Sequence, residues 1–517
     1  MELPRSLDPQ NPARRAYMEW KQARLFELCA VWNKAIRAIN PAASFIPNSG
    51  GGALSELDMK TIGELAPVIF ADRQARSGLA TPWSNGKNAK EYRATMGMKP
   101  VGGIFSVGVE EQYRWKDSVQ SGPEIRLWVL ETIANGQRPW FTKFGGTLYD
   151  KRWLPVVEDV YNWHYRNERY LRNTAPIARV GMVYSQQTAQ FYGGERARQK
   201  VEDHTLGYYQ ALIEARVPFE MVHDQLMDAA HLAPFKVLIL PNVAALSDAQ
   251  CGQLRAFVER GGSIVATYET SLYDERGVQR KDFGLASLFG ASYAGGSDQR
   301  MMNSYLRLEG QAGKRHPLLA GLEDTERIIN GVARLHTRAT ADYPNPPLTL
   351  IPSYPDLPME EVFPRQPKTD TPEVFARQAG AGRVVYFPWD IDRTFWEVLA
   401  VDHFKLLRNA VDWAANEPRP ATIDGPGVLD VALWRQKDSM TLHLVNLSNP
   451  MMMKGPVREF LPLPAQQVAI RLPEGRKNRG VKLLVSGQTP RVQESNGVVR
   501  LTIPSILDHE VVAIELA

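Results

Sequence analysis

The sequence predicts a multidomain α/β chain that closes in an all-β domain. Strand, loop and helix patterns alternate from about residue 44 to residue 415, and after about Gly425 the pattern changes to short alternating runs. At 517 residues the chain is too long for one core, and at roughly 150 residues each about three domains are expected.

Residues 1–11 are polar and proline-rich. Pro12 to Ile39 reads as a long helix, with Pro12 in the first turn, where its missing N–H costs nothing, and Tyr17, Trp20, Leu25, Leu28, Trp32, Ile36 and Ile39 at helical spacing. Asn40-Pro41 stops it. Strands are then expected at Ser44–Ile46, Pro67–Ala71, Val101–Val107 and Pro139–Phe144, with helices near 54–64, 86–96, 122–135 and 153–171. The run after Lys99 is continuously apolar, as in strands covered on both faces. Each strand ends in polar or glycine-rich sequence, and four such units resemble half of a (β/α)8 barrel. An open half-barrel leaves strand edges uncovered, so the missing half would precede Met1 or come from a partner; the first reading is preferred.

A second α/β domain begins after Pro176. Its strands are Ala178–Tyr184, Phe219–Val222, Lys236–Leu240, Ser263–Thr267 and Arg383–Phe387, and its helices are Val201–Ala215, Asp248–Arg260 (capped by Ser247, ended by Gly261-Gly262) and Asp402–Ala414. Short apolar strands alternating with helices predict a doubly wound, flavodoxin-like sheet of the kind also seen in class I amidotransferases. Residues 310–380 are proline-rich and less regular. The runs VLDVALW, SMTLHLVNL, QVAIRL, VKLLV, VVRLTI and EVVAIEL then predict a small antiparallel β-sandwich. The expected domains are 1–175, 176–420 and 421–517.

Composition narrows the function. A formal charge of +4 without a Lys/Arg block gives nucleic-acid binding no electrostatic support. No run is long enough for a membrane span, and MELPRSLDPQNP has no apolar core of a secretory signal, so a cytoplasmic location is expected. Cys29 and Cys251 lie far apart on predicted helices, which leaves no disulfide framework or metal-binding pair; both read as buried thiols, and no metal or cofactor is expected. Cys251 inside a helix also leaves the middle domain without the strand-to-helix cysteine of an amidotransferase. His204 and His223 read as non-catalytic, whereas Asp390, Asp392 and Arg393 end a strand and line either a crevice or a subunit contact.

Polar chemistry begins where the strand after Lys99 stops: Glu110, Glu111, Tyr113, Arg114, Trp115, Lys116, Asp117. Carboxyl ends of parallel strands hold the active sites of such folds. Aromatics interleaved with acids and bases suit carbohydrate recognition, although a solvated charged loop has the same composition. Glu110 and Glu111 are adjacent and cannot face each other as a catalytic pair, so one is the functional carboxylate and the other is solvated or braces a cation. Asp72 and Arg73 bind sugar hydroxyls or pair to close a loop. Asn48, followed by Gly50-Gly51-Gly52, allows backbone to approach a ligand closely. Trp83, Tyr113, Trp115 and Trp140 are stacking candidates, Trp115 foremost because charges flank it. Lys116 and Lys143 complete the candidate substrate-binding set, and Lys143 either binds a hydroxyl or pairs with Glu110 or Glu111.

The domain order, together with RWKDSVQ (114–120), PEIRLW (123–128), PWFTKFGG (139–146), NAVDWAANE (409–417) and HLVNLSNPMMMKGP (443–456), resembles the family 42 β-galactosidases and related barrel glycoside hydrolases that carry a β-galactosidase trimerisation domain. The resemblance implies a glycoside hydrolase acting on an oligosaccharide or glycoside, a homo-oligomer with a trimer favoured, and residues 176–420 as the trimerisation-type domain. In that family an acid/base follows barrel strand four and a nucleophile follows strand seven. Counted back from the last barrel strand, Val101–Val107 falls at strand seven, so Glu110 or Glu111 matches the nucleophile, while strand four would lie before Met1. The rival expectation is a non-catalytic carbohydrate-binding or assembly subunit with a degenerate barrel.

Overall fold

The computed structural model describes residues 4–6, 8–109, 115, 117–142, 147, 149–311, 313–449 and 454–517. The chain folds as two compact units, one of Met1–Phe26, Arg179–Leu212 and Val222–Pro418, the other of Glu27–Ala178, Ile213–Met221 and Arg419–Ala517. Helix α1 (Pro12–Ile39) follows the predicted span, but none of its residues is buried.

In the second unit, α2 (Met59–Leu65) begins at Asp58, whose carboxylate accepts from Lys60 N. It leads into β1 (Ile69–Ala71), α3 (Ser84–Met96), β2 (Val101–Ser106), α4 (Gly122–Ala134), β3 (Arg138–Thr142) and α5 (Leu154–Arg166). The three strands form one sheet in the order β1-β2-β3, parallel throughout. Residues 44–46, expected as a strand, join no sheet. The run is only three residues long before Pro47, and proline cannot donate to a ladder. All six residues of β2 are buried, as its unbroken apolar character predicts. Phe105 and Val107 pack with Ile125, Trp128, Ile133, Trp153 and Trp163.

The same unit contains the predicted antiparallel β-domain. One sheet has the order Ala421–Asp424, Gln466–Arg471, Val498–Ile503, Val492–Ser495. The other has the order Asn478–Leu483, His509–Leu516, Ser439–Asn446, Leu429–Arg435, Ala175–Pro176. Val431, Leu433, Leu442 and Leu444 of one sheet meet Val468, Ile470, Leu501 and Ile503 of the other in a common core. In Gln466–Arg471 and Val498–Ile503 exposed positions alternate with these, so the period of two seen in the sequence corresponds to one buried face.

The first unit is built on a sheet whose strands run in the order Phe375–Ala379, Gly382–Phe387, Ser263–Thr267, Val237–Leu240, Val180–Tyr184. Gly382–Phe387, Ser263–Thr267, Val237–Leu240 and Val180–Tyr184 pair in parallel, and Phe375–Ala379 is an antiparallel edge. Helix Asp248–Glu259 starts as expected: Ser247 Oγ accepts from Gln250 N while the Gln250 side chain accepts from Ser247 N. The proline-rich stretch before residue 380 holds additional antiparallel pairs, such as Tyr305–Leu308 with Leu348–Ile351. Cys251 is buried, but Cys29, expected to be buried, is only partly covered, because α1 buries no residue.

Candidate functional site

β1, β2 and β3 run in parallel register, Ala71 beside Gly103 and Ser106 beside Thr142, so their carboxyl ends lie at one edge of the sheet. β1 ends at Ala71, yet its continuation stays alongside β2: Ser106 N donates to Gln74 O at 2.7 Å. Asp72, Arg73 and Gln74 therefore flank the last residues of β2. Beyond β2, Gln120 N donates to Val107 O at 2.8 Å and Val109 N to Ser118 Oγ at 2.9 Å. Ser118 Oγ in turn donates to Trp115 O at 2.7 Å. Val107–Val109 and Ser118–Gln120 are thus tied together, and Glu110, Glu111, Tyr113 and Lys116 fall between them in sequence. Their own positions, like that of Lys143 after β3, lie outside the described residues.

Asp72 and Arg73 are exposed. Asp72 Oδ1 accepts from Gln74 Nε2 at 2.9 Å, and no Asp72–Arg73 ion pair forms among the described residues. Arg73 is held through its backbone, its carbonyl accepting from Trp128 Nε1 of α4 at 3.0 Å. Asn48 is exposed between the buried Pro47 and Ser49. The glycines after it serve packing: a Cβ on Gly51 would lie 2.6 Å from the Tyr92 ring, and one on Gly52, at φ +82°, would lie 2.6 Å from Glu91 Oε1. A Cβ on Gly50 would meet nothing within 4 Å. Tyr92 also donates its hydroxyl to Ser49 O, and burial pushes that phenol above its ordinary pKa.

Of the aromatic candidates, Trp115 is 55% exposed and Trp140 is 46% exposed, the latter with its ring centroid 4.3 Å from that of Phe70. Trp83 is a core residue at 2% exposure and is not a stacking platform. It precedes α3, whose residues Ser84 to Tyr92 are all buried, so its ring lies on the covered side.

Sequence reasoning missed a second layer around this edge. Arg76 forms an ion pair with the nearly buried Glu124 at the start of α4. Arg126, two residues on, bridges Asp159 and Asp508, and the Asp508 carboxyl is held well below the usual range by His509 and Arg126 against the opposing effect of burial. Glu124 stands in the quoted PEIRLW segment and in the first helical turn, where a carboxylate is favoured. Its partner lies 48 residues away, and no local pattern points to it. Among the described residues no group of three His, Cys, Asp or Glu side chains is arranged to hold a metal ion. None of the described helices is long and apolar enough to cross a membrane.

Comparison with known proteins gives three findings. The β-galactosidase trimerisation domain matches residues 178–292. No curated protein matches the chain in sequence. Solved structures share the fold over nearly the whole chain. α-L-Fucosidase isoenzyme 2 from Paenibacillus thiaminolyticus superimposes with a TM-score of 0.71 at 16% identity, covering 98% of this chain and 72% of its own. The β-galactosidase from Bacillus circulans sp. alkalophilus gives 0.71 at 14%, covering 97% and 68%. Gan42B, a family 42 β-galactosidase from G. stearothermophilus, gives 0.68 at 14%, covering 100% and 70%.

Proposed function

We propose that this chain, which carries a β-galactosidase trimerisation domain within the fold of the family 42 β-galactosidases, is a glycoside hydrolase. The observation that carries the reading is the parallel register of β1, β2 and β3, which brings the strand ends at Ala71, Ser106 and Thr142 to one edge. In this reading the three strands and their helices are the C-terminal half of a (β/α)8 barrel, and residues 176–420 form the flavodoxin-like trimerisation-type domain of a homotrimer.

Glycoside hydrolysis uses one carboxylate to attack carbon or activate water and a second to protonate the leaving oxygen. Glu110 or Glu111 fills the first role. Asp72, Arg73 and Asn48 bind sugar hydroxyls, Trp115 stacks on the ring, and Lys116 and Lys143 bind hydroxyls or brace the carboxylate. The substrate is an oligosaccharide or glycoside. The structurally similar β-galactosidases and α-L-fucosidase make nitrophenyl β-galactosides and α-L-fucosides the first to assay.

The test compares hydrolysis by the wild-type chain with that of Glu110→Gln, Glu111→Gln and the double variant. One single variant is expected to lose at least the 10²–10⁴-fold that a positioned acid or base typically supplies, while the other retains most of its rate. Hydrolysis undiminished in the double variant overturns the assignment.

A further inference from the structure

Behind the candidate site, α3, α4 and the strand Leu429–Arg435 bury an unusual number of ionisable groups. Lys87, Lys90 and Glu91 of α3 are 4%, 2% and 3% exposed, Glu131 of α4 is fully buried, and Asp430 is 2% exposed. Two ion pairs account for four of these five, and a third lies beside them. Lys87 pairs with Glu91, Arg93 with Glu220, and Lys90 with Asp430 at 3.6 Å. Asn135 ties the last pair together: it accepts from Lys90 Nζ and donates to Asp430 Oδ2 at 3.1 Å.

Glu131 is the carboxyl left over. Both its oxygens are buried, and the carboxyl faces the Asp430 side chain and the Gly86 backbone of α3 with no cation in hydrogen-bond contact. It also converges with Asp430 on one glycine. A Cβ on Gly86 would lie 2.3 Å from Glu131 Oε2 and 3.1 Å from Asp430 Oδ2. An ionised carboxylate buried without a cation in contact carries a large desolvation cost, and two neighbouring carboxylates cannot both ionise cheaply. Burial first and Asp430 second raise its pKa far above the ordinary value, against a smaller opposing effect of Lys90. The other charges packed on α4 are engaged elsewhere: Arg126 with Asp159 and Asp508, and Arg76 with Glu124. Strand Ser439–Asn446, also against α4, contributes His443, which burial lowers to about 3 and keeps neutral.

We propose that Glu131 is a positioning residue that holds a proton and works as a latch, joining α3 and α4 to strand Leu429–Arg435 while neutral and loosening them when it ionises. Its reach extends to the candidate site. α3 carries the Tyr92 and Glu91 side chains packed under Gly51 and Gly52, and α4 carries the Trp128 that holds the Arg73 carbonyl. Ionisation places a second negative charge against Asp430, pushes the helices from the strand and slackens both loops. The effect on turnover rests on the glycoside hydrolase reading; the latch itself is read without any activity.

The sign follows from linkage. A carboxyl whose folded pKa lies above its unfolded value stabilises fully below the unfolded value, and that contribution is lost as pH rises toward the folded one. Across that window the unfolding equilibrium constant changes by up to tenfold per pH unit. The experiment follows amide hydrogen exchange, corrected for intrinsic rate, in peptides 122–134 and 429–435 of the full chain from pH 5 to 9. Wild-type protection in these peptides is expected to fall with pH, and Glu131→Gln, a neutral near-isostere, is expected to stay flat at the wild-type low-pH level. Infrared difference spectra at neutral pH should show the carbonyl band of a protonated acid in the wild type that Glu131→Gln lacks, a readout that needs only the folded wild type as a positive signal. A wild type without that band, or an unchanged pH profile in Glu131→Gln, overturns the proposal.

Discussion

Two tryptophans of this chain are separated by burial rather than by chemistry. Trp83 sits at 2% exposure and Trp115 at 55%. Replacing Trp83 by alanine removes a core ring, and a loss of about 3–5 kcal/mol is expected in urea unfolding. Trp115→Ala should leave the urea midpoint nearly unchanged, as surface substitutions usually fall within about 0.5 kcal/mol, while raising KM for a glycoside by the ~0.5–1.5 kcal/mol typical of one ring contact. A Trp115 variant that unfolds early, or binds sugar as the wild type does, contradicts its assignment as a stacking surface. Glu373 offers a pH test in the other unit. It is fully buried and accepts from Arg334 Nε at 2.8 Å, but burial outweighs Arg334 and pushes its pKa up to about 7. Because the folded value lies above the ordinary 4.5, its contribution is complete below that value and is lost as pH rises through about 7. Glu373→Gln should therefore be more stable than the wild type at pH 8, by about 1–3 kcal/mol, and closest to it at pH 5. Equal differences at both pH values, by denaturant titration, would show that Glu373 does not titrate in this window.

At the scale of elements, backbone contacts decide more than side-chain character does. α2 and α3 touch so closely at Gly63 that a Cβ there would lie 2.2 Å from Thr95 O, a backbone atom that cannot rotate away. Gly63→Ala should push the helices apart at a cost of about 1–3 kcal/mol for the overpacking, seen as a lowered Tm. Exchange in peptide 84–96 should rise with it. Ser247 supplies a gentler measure. Its hydroxyl caps helix Asp248–Glu259 within a complete capping box, and Ser247→Ala should cost about 1 kcal/mol. The glycine run after Asn48 is an instance in which sequence and structure assign one feature to different causes. From sequence it reads as a place for ligand approach. In the fold, Gly51 and Gly52 make room for Tyr92 and Glu91, side chains some forty residues away that no local pattern connects to them.

For the whole molecule, the match of residues 178–292 to a trimerisation domain makes self-association the expected behaviour of the full chain. Multi-angle light scattering at micromolar concentration should give three times the 58.1 kDa chain mass; a monomer at every concentration tested rules out the homotrimer. What the sequence determined by itself are the elements with a local signal. The β-domain strands are visible because one face is buried, so apolar residues recur every second position. β2 and the parallel strands near Val180–Tyr184 and Ser263–Thr267 are visible because burial on both faces leaves continuous apolar runs. Ser247 and the end of its helix are legible because capping acts within a few residues. Tertiary structure alone decided that α3, with Lys87, Lys90 and Glu91 on it, would be almost wholly buried. Its charges are neutralised by partners on α3 itself and on Asp430, which is brought to α4 from 295 residues beyond Asn135. Hydrophobic periodicity reports how a segment meets water on average. It does not carry the identity of a distant charge, and buried ion pairs, glycine contacts and the loops they hold all depend on such distant partners.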